Sequence, residues 1–280
     1  MRSVIPACLS GPASAEVFRE KTGMAERLPA SLFDLAENSD SLIAGSVGEF
    51  NAGKELFHIP RFIFMGPKGG GDTVRLAIFA AIRGDEPQGT EALVSFLQLL
   101  ESHPVLASGY HIYAYPICNP SGLAAGSRHN AAGQDLTAHF WRGSNQPEAY
   151  YLEREMGVHR FQGVISLGSA DILDPRFFFN GGRNSILRAA LASPAMLASR
   201  MFVADAPPEN TVSSALFPKE PQSDAAGFLT CTDELRPMPF EINFEILRQS
   251  PRRTQIVWTV NALKSILDSY RTVLAIQQNI

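Results

Sequence analysis

The sequence predicts an α/β fold, a single domain whose mostly parallel or mixed sheet is covered by helices on both faces. Three observations carry that reading. Short apolar runs rich in β-branched and aromatic residues alternate with longer stripes of helical period. At 280 residues and 45% hydrophobic content, the chain can build the core of one large α/β domain. No internal repeat or linker interrupts it, so the domain is expected to run over 1–280.

Taken in order, residues 1–50 mix short helical patterns with polar breaks, as in SLFDLAENSDSLIAG, and are expected to cap the domain. LFHIPRFIFMG and TVRLAIFAAI read as neighbouring strands joined by a hairpin turn at PKGGGD. That Gly-rich stretch lacks a Gly-Lys-Ser/Thr ending and leads into a strand, which makes it a turn rather than a phosphate cradle. Arg83-Gly84-Asp85-Glu86-Pro87 then ends the second strand and opens a helix, with Pro87 suited to its first turn. Ala92, Leu93, Phe96, Leu97 and Leu100 form the helix's apolar stripe. A strand at YHIYAYPI is followed by a long irregular stretch from Cys118 to Glu148, a helix at EAYYLEREMGV and a buried strand at FQGVISLGSA. PMPFEINFEIL reads as a late strand and TQIVWTVNALKSILDSYRTVLAI as the closing helix.

Charge and cysteine usage exclude several classes. With 24 Lys+Arg against 28 Asp+Glu, a net of −4, no basic excess is available for a phosphate backbone or an anionic membrane, so neither nucleic acid nor membrane is an expected partner. Cys8, Cys118 and Cys231 are odd in number and far apart, as expected of reduced thiols in the cytoplasm. The N-terminal residues are broken by Pro6 and Gly11 and read as no signal peptide, and no run reaches the ~20 apolar residues of a membrane span.

Four segments carry chemistry-bearing residues at particular spacings: Arg83-Gly84-Asp85-Glu86-Pro87; Asn119-Pro120-Ser121-Gly122 with Arg128-His129-Asn130 and Gly133-Gln134-Asp135-Leu136-Thr137-Ala138-His139-Phe140; GVISLGSA with Gly168; and FEINFEIL with Glu245. Over about residues 60–250 this frame resembles the zinc metallocarboxypeptidases, including their bacterial branch near succinylglutamate desuccinylase and aspartoacylase. The resemblance implies a mixed, mostly parallel sheet of about eight strands between helices, the phosphorylase/hydrolase-like carboxypeptidase fold. It also implies that Arg83, Glu86 and Gly168 stand at the three zinc-ligand positions. Arg128 would stand where the family polarises the scissile carbonyl, and Glu245 where it places the general base. Asn130, Thr137, Ala138 and His139 lie in the substrate-binding segment, with Thr137 and Ala138 replacing the Asn-Arg pair that holds the substrate carboxylate.

The departures fall on the reacting positions. Zinc needs nitrogen, sulfur or carboxylate donors; Arg83 is permanently charged and Gly168 has no side chain, which leaves Glu86. Glu86 also sits near a helix N-terminus, where the dipole favours a carboxylate. Strand alternation groups Glu241, Asn243 and Glu245 on one face, so Glu241 is the rival of Glu245. The six histidines form no His-x-x-Glu or His-x-x-x-His pair. Ser127 or Ser169 with a histidine and Asp135 is a further nucleophile arrangement without a nucleophile-elbow context.

These residues lead to the expectation of a non-catalytic carboxypeptidase homologue without zinc or another cofactor, binding a small acidic or peptide ligand in the remaining cleft. The alternative is an active metallopeptidase or amidohydrolase with displaced ligands. Arg83 is expected to stand in for the missing positive charge beside Glu86 and Glu245, holding both carboxyls below their ordinary pKa.

Overall fold

The computed structural model describes residues 24–170, 176–180, 228–230 and 232–278. Helix α1 (Met24–Glu37) precedes strands β1 (Leu42–Ala52), β2 (Glu55–Met65) and β3 (Val74–Ala80). Helix α2 (Pro87–Ser102), β4 (Tyr110–Tyr115), the short α3 (Pro120–Ala125), α4 (Pro147–His159) and β5 (Gly163–Ala170) follow. The described chain closes with β6 (Arg176–Asn180), β7 (Phe240–Leu247) and α5 (Arg252–Gln278).

The strands form one sheet of seven in the order β1-β2-β4-β3-β5-β7-β6. Pairings β4·β3, β3·β5 and β5·β7 are parallel, and β1·β2, β2·β4 and β7·β6 are antiparallel. The mixed α/β class is as expected, with seven strands among the described residues where about eight were anticipated. Sequence alternation also sorts β7 correctly: Phe240, Ile242, Phe244 and Ile246 enter the core beside α2 and α5. The opposite face of the sheet carries a second core of Phe79, Tyr115, Leu136, Phe140, Leu152 and Met156.

Two sequence expectations are corrected. LFHIPRFIFMG and TVRLAIFAAI are not a hairpin, because β4 lies between β2 and β3. The Gly66 N–H bonds the Tyr110 carbonyl and the Gly109 N–H bonds the Pro67 carbonyl, so the loop after β2 crosses the head of β4. β3 is buried along nearly its whole length, which suits the sheet centre, where strands are covered on both faces. The second correction concerns SLFDLAENSDSLIAG: only its first part is helical, and from Leu42 the chain runs as β1. The true hairpin is β1·β2, closed through Gly53 at φ 64, a left-handed turn position that glycine adopts freely.

β3, β4, β5 and β7 run in one direction, so the loops that leave them emerge at a single edge of the sheet. In open α/β sheets this carboxyl edge is where ligands bind.

Candidate functional site

The first two motif loops are locked together by their backbones. A β-carbon on Gly84 would stand 2.0 Å from the Gly122 carbonyl carbon and 2.3 Å from the Leu123 nitrogen, which no side chain could share. Asn119, wholly buried, accepts the Gly122 N–H at 2.9 Å and donates to the Ile82 carbonyl at 3.3 Å. The spacing recognised in the sequence therefore has a steric cause: the Arg83–Pro87 loop needs glycine where α3 lies on it.

Glu86 precedes Pro87 at the start of α2, yet its side chain makes no helix-capping hydrogen bond. It is 3% exposed and turns toward the end of β5, where the Ser169 N–H bonds it. A β-carbon on Gly168 would lie 3.4 Å from Glu86 Oε2. Arg83 NH1 stands 3.7 Å and Arg248 NH2 3.8 Å from Oε1, and Arg248 NH1 also holds Asp85 Oδ2 at 3.1 Å. The carboxyl of Glu86 is thus flanked by two guanidiniums, neither close enough for a hydrogen bond. Among the described residues Glu86 Oε1, Asp85 Oδ1, Arg83 Nε and Arg248 Nε are buried without hydrogen-bond partners.

Burial dominates the electrostatics and pushes Glu86 up to about 7, with Arg83, Ser169 and Arg248 opposing it and Asp85 adding to it. The expectation of a carboxyl held below its ordinary pKa is therefore corrected for Glu86: desolvation exceeds the pull of two arginines held at nearly 4 Å.

Asp135 is the second charged hub. It accepts from Arg128 Nε at 2.8 Å and from the Thr137 hydroxyl at 2.7 Å, and Arg83 Nε lies 3.5 Å away. Burial pushes its pKa up, but the Thr137 and Arg128 hydrogen bonds and the Arg83 charge outweigh that and hold it low. Arg128 is nearly half exposed at the rim, and Ala138 is exposed. His139 is tied to Ser144 at 3.0 Å and to Gln134 at 3.1 Å. Asn130 turns into its own loop, donating to Gln146 and Glu148 and accepting from Ala132 and Gln134. The site thus brings together Arg83, Glu86, Gly168 and, through Asp135, Arg128 and Thr137; Asn130 and His139 are engaged within their loop.

Glu245 is the cross-strand partner of Gly168 and is half-buried at the carboxyl edge. Glu241, four residues earlier on the same face, is fully buried and bonded to the Leu229 and Thr230 N–H groups and the Thr230 hydroxyl. Ser127 Oγ accepts from the His129 N–H, and Ser169 Oγ has no hydrogen-bond partner among the described residues, so neither serine is paired with an imidazole there. Of the cysteines, Cys118 is a buried free thiol, while Cys8 and Cys231 lie outside the described residues. Arg248 and Asp85 are the residues sequence reasoning missed. The one signal for Arg248 was its position just past the end of the strand that carries Glu245.

At Arg83, Glu86 and Gly168, the positions that the resemblance implies for a metal, the side chains do not fit a zinc ion: one carboxylate, one guanidinium and one glycine, with a second guanidinium beside the carboxylate. Among the described residues no three His, Cys, Asp or Glu side chains are grouped to hold a metal.

No protein-family model and no curated protein matches this chain. Solved structures match its fold. A metallo-carboxypeptidase from Burkholderia cenocepacia aligns with a TM-score of 0.65 at 12% identity, over 87% of this chain and 69% of that one. A metallo-carboxypeptidase from Pseudomonas aeruginosa, in complex with (2-guanidinoethylmercapto)succinic acid, aligns with a TM-score of 0.58 at 16% identity, over 89% and 69%. A succinylglutamate desuccinylase/aspartoacylase from Rhodobacter sphaeroides gives 0.53 at 16% identity, over 82% and 65%. The fold is that of the metallocarboxypeptidases, as the sequence motifs implied. The expectation of a cofactor-free chain is corrected by these comparisons: the solved structures that share the fold are metallo-carboxypeptidases.

Proposed function

We propose that this chain is a binding member of the carboxypeptidase fold. It holds a small carboxylate-bearing ligand, acidic or peptide, in the cleft at the carboxyl edge of the sheet, and does not run the peptidase reaction through the inherited positions. The carrying observation is the placement of Arg83 and Arg248 beside the same Glu86 oxygen, Oε1, with bare Gly168 against Oε2. Guanidiniums are the side chains best shaped to receive a carboxylate. The Pseudomonas aeruginosa structure, with a succinic acid derivative bound, supports a carboxylate ligand class. Arg128 and Glu245 remain as rim residues that orient the ligand, and Thr137 acts through Asp135.

The test is calorimetric titration with dicarboxylic acids, N-acyl amino acids and dipeptides, alongside hydrolysis assays on the same compounds. Saturable binding without turnover is expected; turnover that Glu245→Gln abolishes overturns the reading.

A second reading, a hydrolase with displaced metal ligands, draws on the metallopeptidase neighbours in fold. Elemental analysis of protein purified without chelators separates the two: near-stoichiometric metal whose removal abolishes hydrolysis selects the second. For localisation, no helix among the described residues is long and apolar enough to cross a membrane. The buried free thiol of Cys118 accords with a reducing cytoplasm.

A further inference from the structure

The charges around Glu86 narrow the ligand further. Arg83 and Arg248 contribute two positive charges, while Asp85, Glu86 and Asp135 set three carboxyl groups against them, and Glu245 is the cross-strand neighbour of Gly168. Their mutual contacts leave capacity unspent on both sides. The donors Arg83 Nε and Arg248 Nε and the acceptors Glu86 Oε1 and Asp85 Oδ1 are buried without hydrogen-bond partners among the described residues. Buried polar atoms in folded proteins are nearly always bonded, so four such atoms in one contiguous cluster mark a place where something else completes the network. Glu86 is 3% exposed, which makes its vacant oxygen especially costly.

A dicarboxylate would satisfy the guanidiniums but would bring two negative charges beside three carboxyl groups. An amine would satisfy the carboxyls and face two guanidiniums. We infer that the cleft takes a zwitterion, a free α-amino acid whose carboxylate rests on Arg83 and Arg248 and whose ammonium group is received by Glu245 and Glu86. The two arginine side chains are partly exposed, at 25% for Arg83 and 33% for Arg248, so a ligand can reach them from solvent. Glu245 is half-buried at the end of β7. It stands beside Gly168, where the missing side chain leaves room over Glu86. The inference rests on the reading of the cleft as a carboxylate-binding site and adds the second charge that the ligand must carry.

Four probes separate the two ideas: L-alanine carries both charges, propionate and N-acetyl-L-alanine carry the carboxylate alone, and ethylamine carries the ammonium alone. Titration of the full chain, followed by calorimetry or by NMR shifts, is expected to give L-alanine at least about tenfold tighter binding than the other three. Glu245→Gln should remove that preference, bringing L-alanine to the affinity of propionate measured on the same variant. Glu245 is half-buried at the sheet edge, so the variant tests recognition rather than folding. Arg248→Gln should weaken L-alanine and propionate alike. If propionate and N-acetyl-L-alanine bind as tightly as L-alanine, or if Glu245→Gln keeps the preference for alanine, the zwitterion inference is overturned and the carboxylate site stands. If none of the four binds at millimolar concentration, both fall.

Discussion

Gly168 and Glu86 stand in van der Waals register, with a β-carbon at 168 set to meet Glu86 Oε2 at 3.4 Å. The end of β5 is thus a wall for the carboxyl that precedes α2, and the identity of residue 168 decides what that carboxyl faces. A methyl group fits there. We expect Gly168→Ala to fold with stability within about 1 kcal/mol of the parent, because the reduced conformational entropy of the unfolded chain offsets the close contact. A loss above about 2 kcal/mol in urea unfolding would show that the wall is closer than the geometry states.

Rebuilding the donor set is a second, constructive experiment. Arg83→His combined with Gly168→His places two imidazoles around Glu86 and removes the guanidinium that flanks it. Three donors of the right chemistry suit zinc. The double variant should bind zinc at least about tenfold more tightly than the parent in competition with a chromophoric chelator. Equal affinities would mean that the three positions do not converge as the structure places them.

How much of this was legible beforehand differs by element. The stripe of Ala92, Leu93, Phe96, Leu97 and Leu100 is complete, and all five are buried where the period puts them. β1 lacks such a signal, because most of its residues are half-buried and no clean alternation survives. The false hairpin arose because adjacency in sequence does not reveal an intervening strand, and β4 comes 36 residues after the start of β3. Within the site, the motif loops could be read because Gly84 and Gly122 touch through backbone and tolerate no side chain. Arg248 could not, since it reaches Asp85 across 163 positions. The sign of the Glu86 shift was equally hidden, because desolvation depends on burial that no local pattern encodes.

Glu86 gives the fold an unusual pH dependence. Its folded pKa, about 7, lies above the ordinary 4.5. Between those values the folded state holds a proton that the unfolded chain has released, so stability falls as pH rises through this window and levels off above it. The full effect is on the order of 3 kcal/mol. Glu86→Gln, which keeps shape and removes the titration, should become more stable relative to the parent as pH is raised from about 4.5 to about 8. Parallel stability curves over that range would refute the raised pKa.

Arg83 acts on the same group. It is the largest influence lowering the Glu86 pKa, yet it is a quarter exposed and 3.7 Å from Oε1. Its removal should therefore cost about 1 kcal/mol at pH 8 rather than the 3 to 5 of a tightly buried pair. The deficit should shrink toward pH 5, where Glu86 is protonated in both proteins. A deficit that stays constant from pH 5 to 8 would assign the role of Arg83 to Asp135, 3.5 Å from its Nε and ionised throughout that range, or to packing, rather than to Glu86.

The strongest electrostatic element lies away from the cleft, where α4 meets β2 and β4. Arg61 NH1 holds Glu155 at 3.1 and 2.9 Å, Tyr115 donates to it at 2.9 Å, and His159 stands 3.4 Å away. Burial pushes Glu155 up, but the hydrogen bond from His159 and the charge and hydrogen bonds of Arg61 outweigh it and bring it to about 2 from the ordinary 4.5. The carboxylate's contribution is therefore fully present above about 4.5 and is lost as pH falls through about 2. Glu155→Gln should cost on the order of 3 kcal/mol at pH 7, because it leaves Arg61, 7% exposed, without its counter-charge. The gap between variant and parent should close as unfolding is measured from pH 5 down toward pH 2. Arg61→Met is the control: it removes the buried charge while filling similar volume, so Arg61→Met combined with Glu155→Gln should recover part of the loss. If the double variant is no more stable than Glu155→Gln alone, the stranded guanidinium is not the source of the cost.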